Sequence, residues 1–252
     1  MKKEELDYVL VPLGLVVMAG YHAWLLLRIR RRPATTVIGV NAINRRIWVR
    51  HVMEDPSGKH AVLAVQTIRN NIMASTLLAS TAITLSSLIA VLMSAGGTAS
   101  NTNNNGLLPG APFVVGATGA PALSAKFFAI LVCFLVAFLL NVQSIRYYSH
   151  ASVLVNVPHR RRPRRAVGYV TGMVNRGCYF WSLGARAFYF SCPVFLWLFG
   201  PIPMFVACVA MVCALYFLDV CKDWEEEEED EEEDQCASDE RSGQGKDAEQ
   251  RV

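Results

Sequence analysis

The sequence predicts an all-α integral membrane protein: a multi-pass helical bundle of four or five membrane segments, ending in a helical hairpin and a disordered acidic tail. Three observations carry that expectation. The 252-residue chain is 53% apolar and only 18% charged, with a mean hydropathy of +0.30. That is more apolar surface than a soluble domain of this size buries, so lipid must solvate the surplus. Residues 187–218 carry no charge, and at about 1.5 Å of rise per residue one straight helix of that run overshoots a hydrocarbon core of about 30 Å. Inside the run stands Gly200-Pro201-Ile202-Pro203. Its prolines remove two backbone donors and its glycine admits the dihedrals of a tight reversal. The run therefore reads as two arms, about 183–199 and 204–220, folded back at this corner; a kink in one tilted helix is the alternative.

The first span is expected at about 8–27, with Pro12 near its start and Trp24 near its end, the length one crossing needs. Arg28, Arg30, Arg31 and Arg32 follow, which by the positive-inside rule places the N-terminus outside and the next segment in the cytosol. Over about 41–54, Ile43, Ile47, Val49, Val52 and Met53 recur at helical intervals between Arg45, Arg46 and Arg50, the pattern of a basic interfacial helix. Asp55-Pro56-Ser57-Gly58 reads as a turn, with Ser57 able to cap the helix that follows.

The second span, about 72–95, is rich in small and hydroxylated residues, with rows Thr76/Ser80/Thr84 and Ala82/Ser86/Ala90. Such rows let helices approach closely and bond across an interface, so this span is expected at the centre of the bundle and as a surface for homo-oligomers. Residues 96–124 form a Gly, Asn, Pro and Ala loop without Lys or Arg, as suits the far side of the membrane. A third span is expected at about 127–148, then the basic cluster His159-Arg160-Arg161-Arg162-Pro163-Arg164-Arg165, then an interfacial helix at about 167–182 leading into the hairpin. Five segments starting outside put the C-terminus in the cytosol. The two loops inferred to be cytosolic hold nine and seven Lys+Arg residues, which agrees.

Charge divides the chain into a membrane domain, 1–224, and a tail, 225–252. The first holds 21 Lys+Arg against 7 Asp+Glu and the second 3 against 14. Ten acidic residues in a row, 225–234, repel one another and have nothing apolar to bury, so the tail is expected to be disordered. It would serve as a tether or electrostatic contact, for an unidentified protein partner or for the chain's own basic loop; a solvated, unpaired tail is the alternative. The seven cysteines include no Cys-x-x-Cys pair and read as buried or reduced thiols, with Cys221 a juxtamembrane acceptor for acylation.

No Gly-rich phosphate loop, His-Glu-x-x-His pair, nucleophile elbow or closely spaced Cys/His set is present. Catalytic residues, metal ligands and cofactors are therefore not expected, and nucleic acid is not an expected partner. What remains is a group of polar residues gathered by the topology near the cytosolic face: Arg69, Asn70, Gln143, Arg146, Arg176 and Arg186. Arginine in an apolar segment is costly unless it meets protein, water or an anion. These six are therefore the candidate pocket for an anionic group, a lipid headgroup first, against the plainer reading that they snorkel to the interface.

Residues 66–80 (QTIRNNIMASTLLAS), the exit of the third span (QSIRYYSHAS), and residues 175–219 with their FWSLGARAFYF, LWLFGPIPM and LYFLD elements resemble the plant and bacterial membrane family called domain of unknown function 599. The likeness covers most of residues 6–220 and stops before the acidic tail. It implies a multi-pass membrane fold and no particular reaction, and its polar positions are the same six residues. The expected role is a lipid- or partner-binding protein with a basic cytosolic face, in the plasma membrane or an endomembrane. The alternative is a small-solute or ion transporter or channel subunit, lined by Ser75, Thr76, Ser80, Thr84 and Asn141.

Overall fold

The computed structural model of the chain describes residues 3–55, 57–99, 120–157 and 163–220. The acidic tail with Cys221 and Cys236, most of the loop at 96–124, and His159 to Arg162 lie outside the described residues. The described chain forms α1 (Lys3–Arg31), a short 3-10 turn (Pro33–Thr35), α2 (Val37–Glu54), α3 (Lys59–Ala99), α4 (Ala120–Leu154), α5 (Pro163–Leu196) and α6 (Pro201–Asp219). Helices α1, α3, α4 and α6 are long and apolar enough to cross a membrane, so the protein is an all-helical integral membrane protein. The expected pieces at 167–182 and 183–199 are parts of one continuous helix, α5. Nothing between them breaks a helix, and the arginines of its first half, Arg164, Arg165 and Arg176, give way to a second half whose one charge is Arg186.

The hairpin is a true reversal. α5 unwinds after Leu196, and Gly200 takes φ 145 and ψ 171, a region open essentially to glycine alone. Pro201 then starts α6 at the position where a missing N–H does no harm. α6 returns beside α5, which brings Asp219 at its far end to Arg186.

The opposite, basic end is built from shorter turns. α1 stops ahead of Pro33, since the residue before a proline is pushed out of helical geometry. Thr36 caps α2 by accepting the Gly39 N–H at 3.2 Å, while its own hydroxyl donates to the Pro33 carbonyl at 3.1 Å. A Cβ at Gly39 would stand 1.9 Å from that carbonyl oxygen, so this corner requires glycine. An isolated antiparallel bridge from Thr36 to Val220 ties the end of α6 to the same corner.

Helices α3, α4 and α5 have 41, 35 and 34 residues, or roughly 50 to 60 Å at helical rise, far longer than a hydrocarbon core of about 30 Å. The excess stands at the basic end and packs with α2 into its own core of Val49, Val52, Ile68, Tyr148, Ala151 and Val170. A second core of Ile89, Phe127, Ile130, Phe134 and Val194 lies further along α3, α4 and α5. α1 and α6 pack on each other through Met18, Met204 and Cys208. α2 turns Val49 and Val52 inward and leaves Ile43 and Ile47 outward beside exposed Arg46 and Arg50.

The central helix is α5, which touches α4 along its length and also meets α2, α3 and α6. α3, expected at the centre, is a flanking helix. Its small residues Ser75, Ala79, Ala82 and Ser86 are buried, and they bring it against essentially one neighbour, α4. At one level the three helices are joined by a relay. Ser144 donates to the Gly177 carbonyl at 2.8 Å, so the 3.2 Å contact between Ser75 and Ser144 must be a bond from Ser75.

Helix α4 lies close on α5 because two positions of α5 have no side chain. A Cβ at Gly177 would meet the Tyr148 ring at 3.0 Å, and one at Gly184 would meet the Asn141 amide nitrogen at 2.5 Å. Gly184→Ala is expected to lower stability by about 1–3 kcal/mol, as overpacking of a fitted core does. Asn141→Ala in the same chain should recover most of that loss, because the clash is with this one side chain. Melting of the two single variants and the double variant in detergent measures the coupling.

Between α2 and α3, Asp55 gathers the Ser57 hydroxyl at 2.8 Å, the Ser57 N–H at 2.9 Å and the His60 N–H at 3.1 Å. These bonds, the Ser57 hydroxyl foremost, hold its carboxyl well below the usual carboxylate range. A depressed folded value means that the turn is fully supported above the unfolded carboxylate value of about 3.9 and loses that support as pH falls below it. The protection factors of the Ser57 and His60 amides, taken relative to intrinsic exchange at each pH, should therefore hold constant down to about pH 4. In Asp55→Ala the same amides should exchange faster at neutral pH.

Candidate functional site

Of the six candidate residues, the structure brings two together. Arg146 and Arg176 line one groove of about 470 Å³ with His150, Tyr147, Tyr169 and Met173. Arg146 and His150 are one turn apart on α4 and share a face. Both arginines and His150 are exposed, and among the described residues none has a hydrogen-bonding or ion-pair partner. Tyr147 is held by stacking on Phe180 with ring centres 5.4 Å apart. Among the described residues no carboxylate lines the groove.

The other four lie elsewhere. Ile68 is turned into the core, so its neighbours Arg69 and Asn70 face outward from α3. Gln143 is half-buried on α4 and does not line the groove. Arg186 follows Arg176 along α5 by about 15 Å of helical rise and belongs to a different cluster. The expected single pocket is thus divided, because the arginines of α5 lie at two heights and α3 presents its polar residues to the outside.

The second cluster joins three helices. Arg186 of α5 donates from Nη2 to Asp219 Oδ1 at 2.5 Å, and the Tyr21 hydroxyl of α1 donates to Asp219 Oδ2 at 2.6 Å. The Arg186 and Asp219 side chains are 12% and 9% exposed. Arg186 Nη1 is also buried and has no partner among the described residues. Beside it, His22 Nδ1 donates to the Met18 carbonyl at 2.8 Å. Sequence reasoning missed the roles of Tyr21 and Asp219, although a signal was present. Arg186 and Asp219 are the charges that flank the uncharged run 187–218, with the Gly-Pro corner near its midpoint, so folding the run in half superimposes them.

At the other end of the bundle the Trp197 indole donates to Asp7 at 3.2 Å, and Lys126 Nζ lies 5.4 Å from the Trp197 ring centre. Polar contacts between the α1/α6 pair and the α4/α5 pair therefore occur at both ends.

The residues expected to line a conduit do not face a common path. Ser75 and Asn141 are buried, whereas Thr76, Ser80 and Thr84 are exposed on α3. Thr76 and Thr84 donate to the carbonyls of Ile72 and Ser80 in their own helix. Among the described residues no three His, Cys, Asp or Glu side chains come together as metal ligands, and the five described cysteines are free.

Fold and clusters together define a helical membrane protein with a basic groove at one end and a buried ionic junction between its helices. The chain belongs to the family described as Protein of unknown function, DUF599, whose model matches residues 9–224. No curated protein and no solved structure matches the chain.

Removing one member of a buried ion pair strands the other charge. Asp219→Ala is therefore expected to cost about 3–5 kcal/mol of stability. Tyr21→Phe, which removes one bond to the same carboxylate, should cost about 1.5–3 kcal/mol. Thermal melting in a fixed detergent should rank wild type above Tyr21→Phe, and Tyr21→Phe above Asp219→Ala.

Proposed function

We propose that this protein binds an anionic lipid headgroup in the groove of Arg146, His150 and Arg176, at an end of the bundle that faces the cytosol. One observation carries this reading: two arginines and a histidine converge on one groove with no carboxylate among the described residues that line it. Unbalanced positive charge beside a bilayer attracts the acidic lipids of the cytosolic leaflet, with each arginine contributing on the order of 1 kcal/mol. The outward Ile43 and Ile47 of α2, beside exposed Arg46 and Arg50, suit the same headgroup layer. The excess of basic residues in the loops at this end supports the orientation, with the N-terminus outside. The acidic tail would then lie on the same side as the groove and compete with lipid for it.

The test is phosphatidylglycerol binding by the purified full chain in phosphatidylcholine nanodiscs. The double variant Arg146→Ala/Arg176→Ala should bind roughly thirtyfold more weakly, and the wild-type affinity should fall as salt is raised. A double variant that retains wild-type affinity and salt dependence would refute the reading.

A further inference from the structure

A separate cleft lies between the helix pairs. α1 packs on α6 and α5 packs on α4, while α1 scarcely meets α4 or α5. Two compartments of about 560 and 400 Å³ remain between them. The outer one is bounded by Leu26, Ile29 and Arg30 of α1, Ile38 of α2 and Ser182 of α5. The inner one is bounded by Met18 of α1, Val132 and Val136 of α4, and Phe190 of α5. His22, Leu183 and Arg186 border both. From Arg30 to Met18 the track runs roughly 18 Å along α1 at helical rise, more than half the thickness of a hydrocarbon core.

The polar atoms along this track are ordered. Arg30, at the rim, is exposed and has no partner among the described residues. Two helical turns deeper, Arg186 is held by Asp219, and past it the walls are almost wholly apolar. A diacyl phospholipid answers the two in sequence, with an anionic phosphate for the exposed Arg30 and an acyl chain for the apolar track.

We propose that the cleft is a specific site for one phospholipid. Its phosphate lies at Arg30, and its chain passes Arg186 to fill the inner compartment. This site is independent of the basic groove, with which it shares no lining residue.

The probe is phosphatidylglycerol bearing a photoreactive diazirine in one acyl chain, added to the full-length protein in phosphatidylcholine nanodiscs, with labelled peptides mapped by mass spectrometry. Labelling should saturate at a single lipid per chain and fall on residues 18–22, 132–140 and 183–190. Arg30→Ala should raise the probe concentration at half-saturation roughly fivefold. Leu183→Trp, and Val136→Trp from the opposite wall, should each cut saturable labelling at least tenfold. Arg146→Ala/Arg176→Ala should leave it intact, which separates this site from the groove.

Labelling that rises linearly with probe and falls equally on the outward α3 residues Leu77 and Leu88 would mean a lipid coat only and would overturn the proposal. An unchanged half-saturation in Arg30→Ala would do the same, as would undiminished labelling in both tryptophan variants.

Discussion

The arrangement of the bundle depends on a single carboxylate. Asp219 holds Arg186 of α5 and Tyr21 of α1 at once, so three helices from the two ends of the sequence meet at one buried point. A guanidinium at this depth is tolerable only when it is met by a fixed partner. The requirement runs in both directions: Arg186 must be met by α6, and α6 can reach it only by turning back at Gly200. The hairpin, the docking of α1 on α6, and the cleft that opens between α1 and α5 all follow from that geometry.

Size of side chain decides the remaining packing. α4 lies against α5 where Gly177 and Gly184 leave room for Tyr148 and Asn141, and α3 lies against α4 through serine and alanine. In lipid there is no hydrophobic gain from bringing apolar helices together, so close backbone approach and buried polar relays take over that role. α1 has no such fit to α4 or α5, and the space left there is the cleft.

Much of this was legible in the residues. Length of apolar run, proline and glycine position, and clustered arginine locate the spans, the corner and the basic end, because each of these is a local property of the chain. The division of the arginines was not legible. Counting depth from the ends of spans puts Arg69, Arg146, Arg176 and Arg186 near one height, but it does not say which way each faces. Arg69 turns outward because Ile68 turns inward, a matter settled by packing across helices. The central position of α5 was hidden for a related reason. Its arginines lower its hydropathy, while a helix surrounded by protein needs less apolar surface than one surrounded by lipid. The small residues of α3 pointed correctly to close packing and wrongly to the centre of the bundle.

The pairing of Arg186 with Asp219 also sets a timetable for biogenesis. The ribosome makes the arginine 33 residues before the aspartate, which at about 5–20 residues per second leaves a positive charge without its counter-ion for a few seconds. Tyr21, made 198 residues earlier than Asp219, waits longer still. Until the last helix is released, α1 has no surface to dock on, so a nascent chain of this protein would depend on the insertion machinery to shelter its first and fifth helices together.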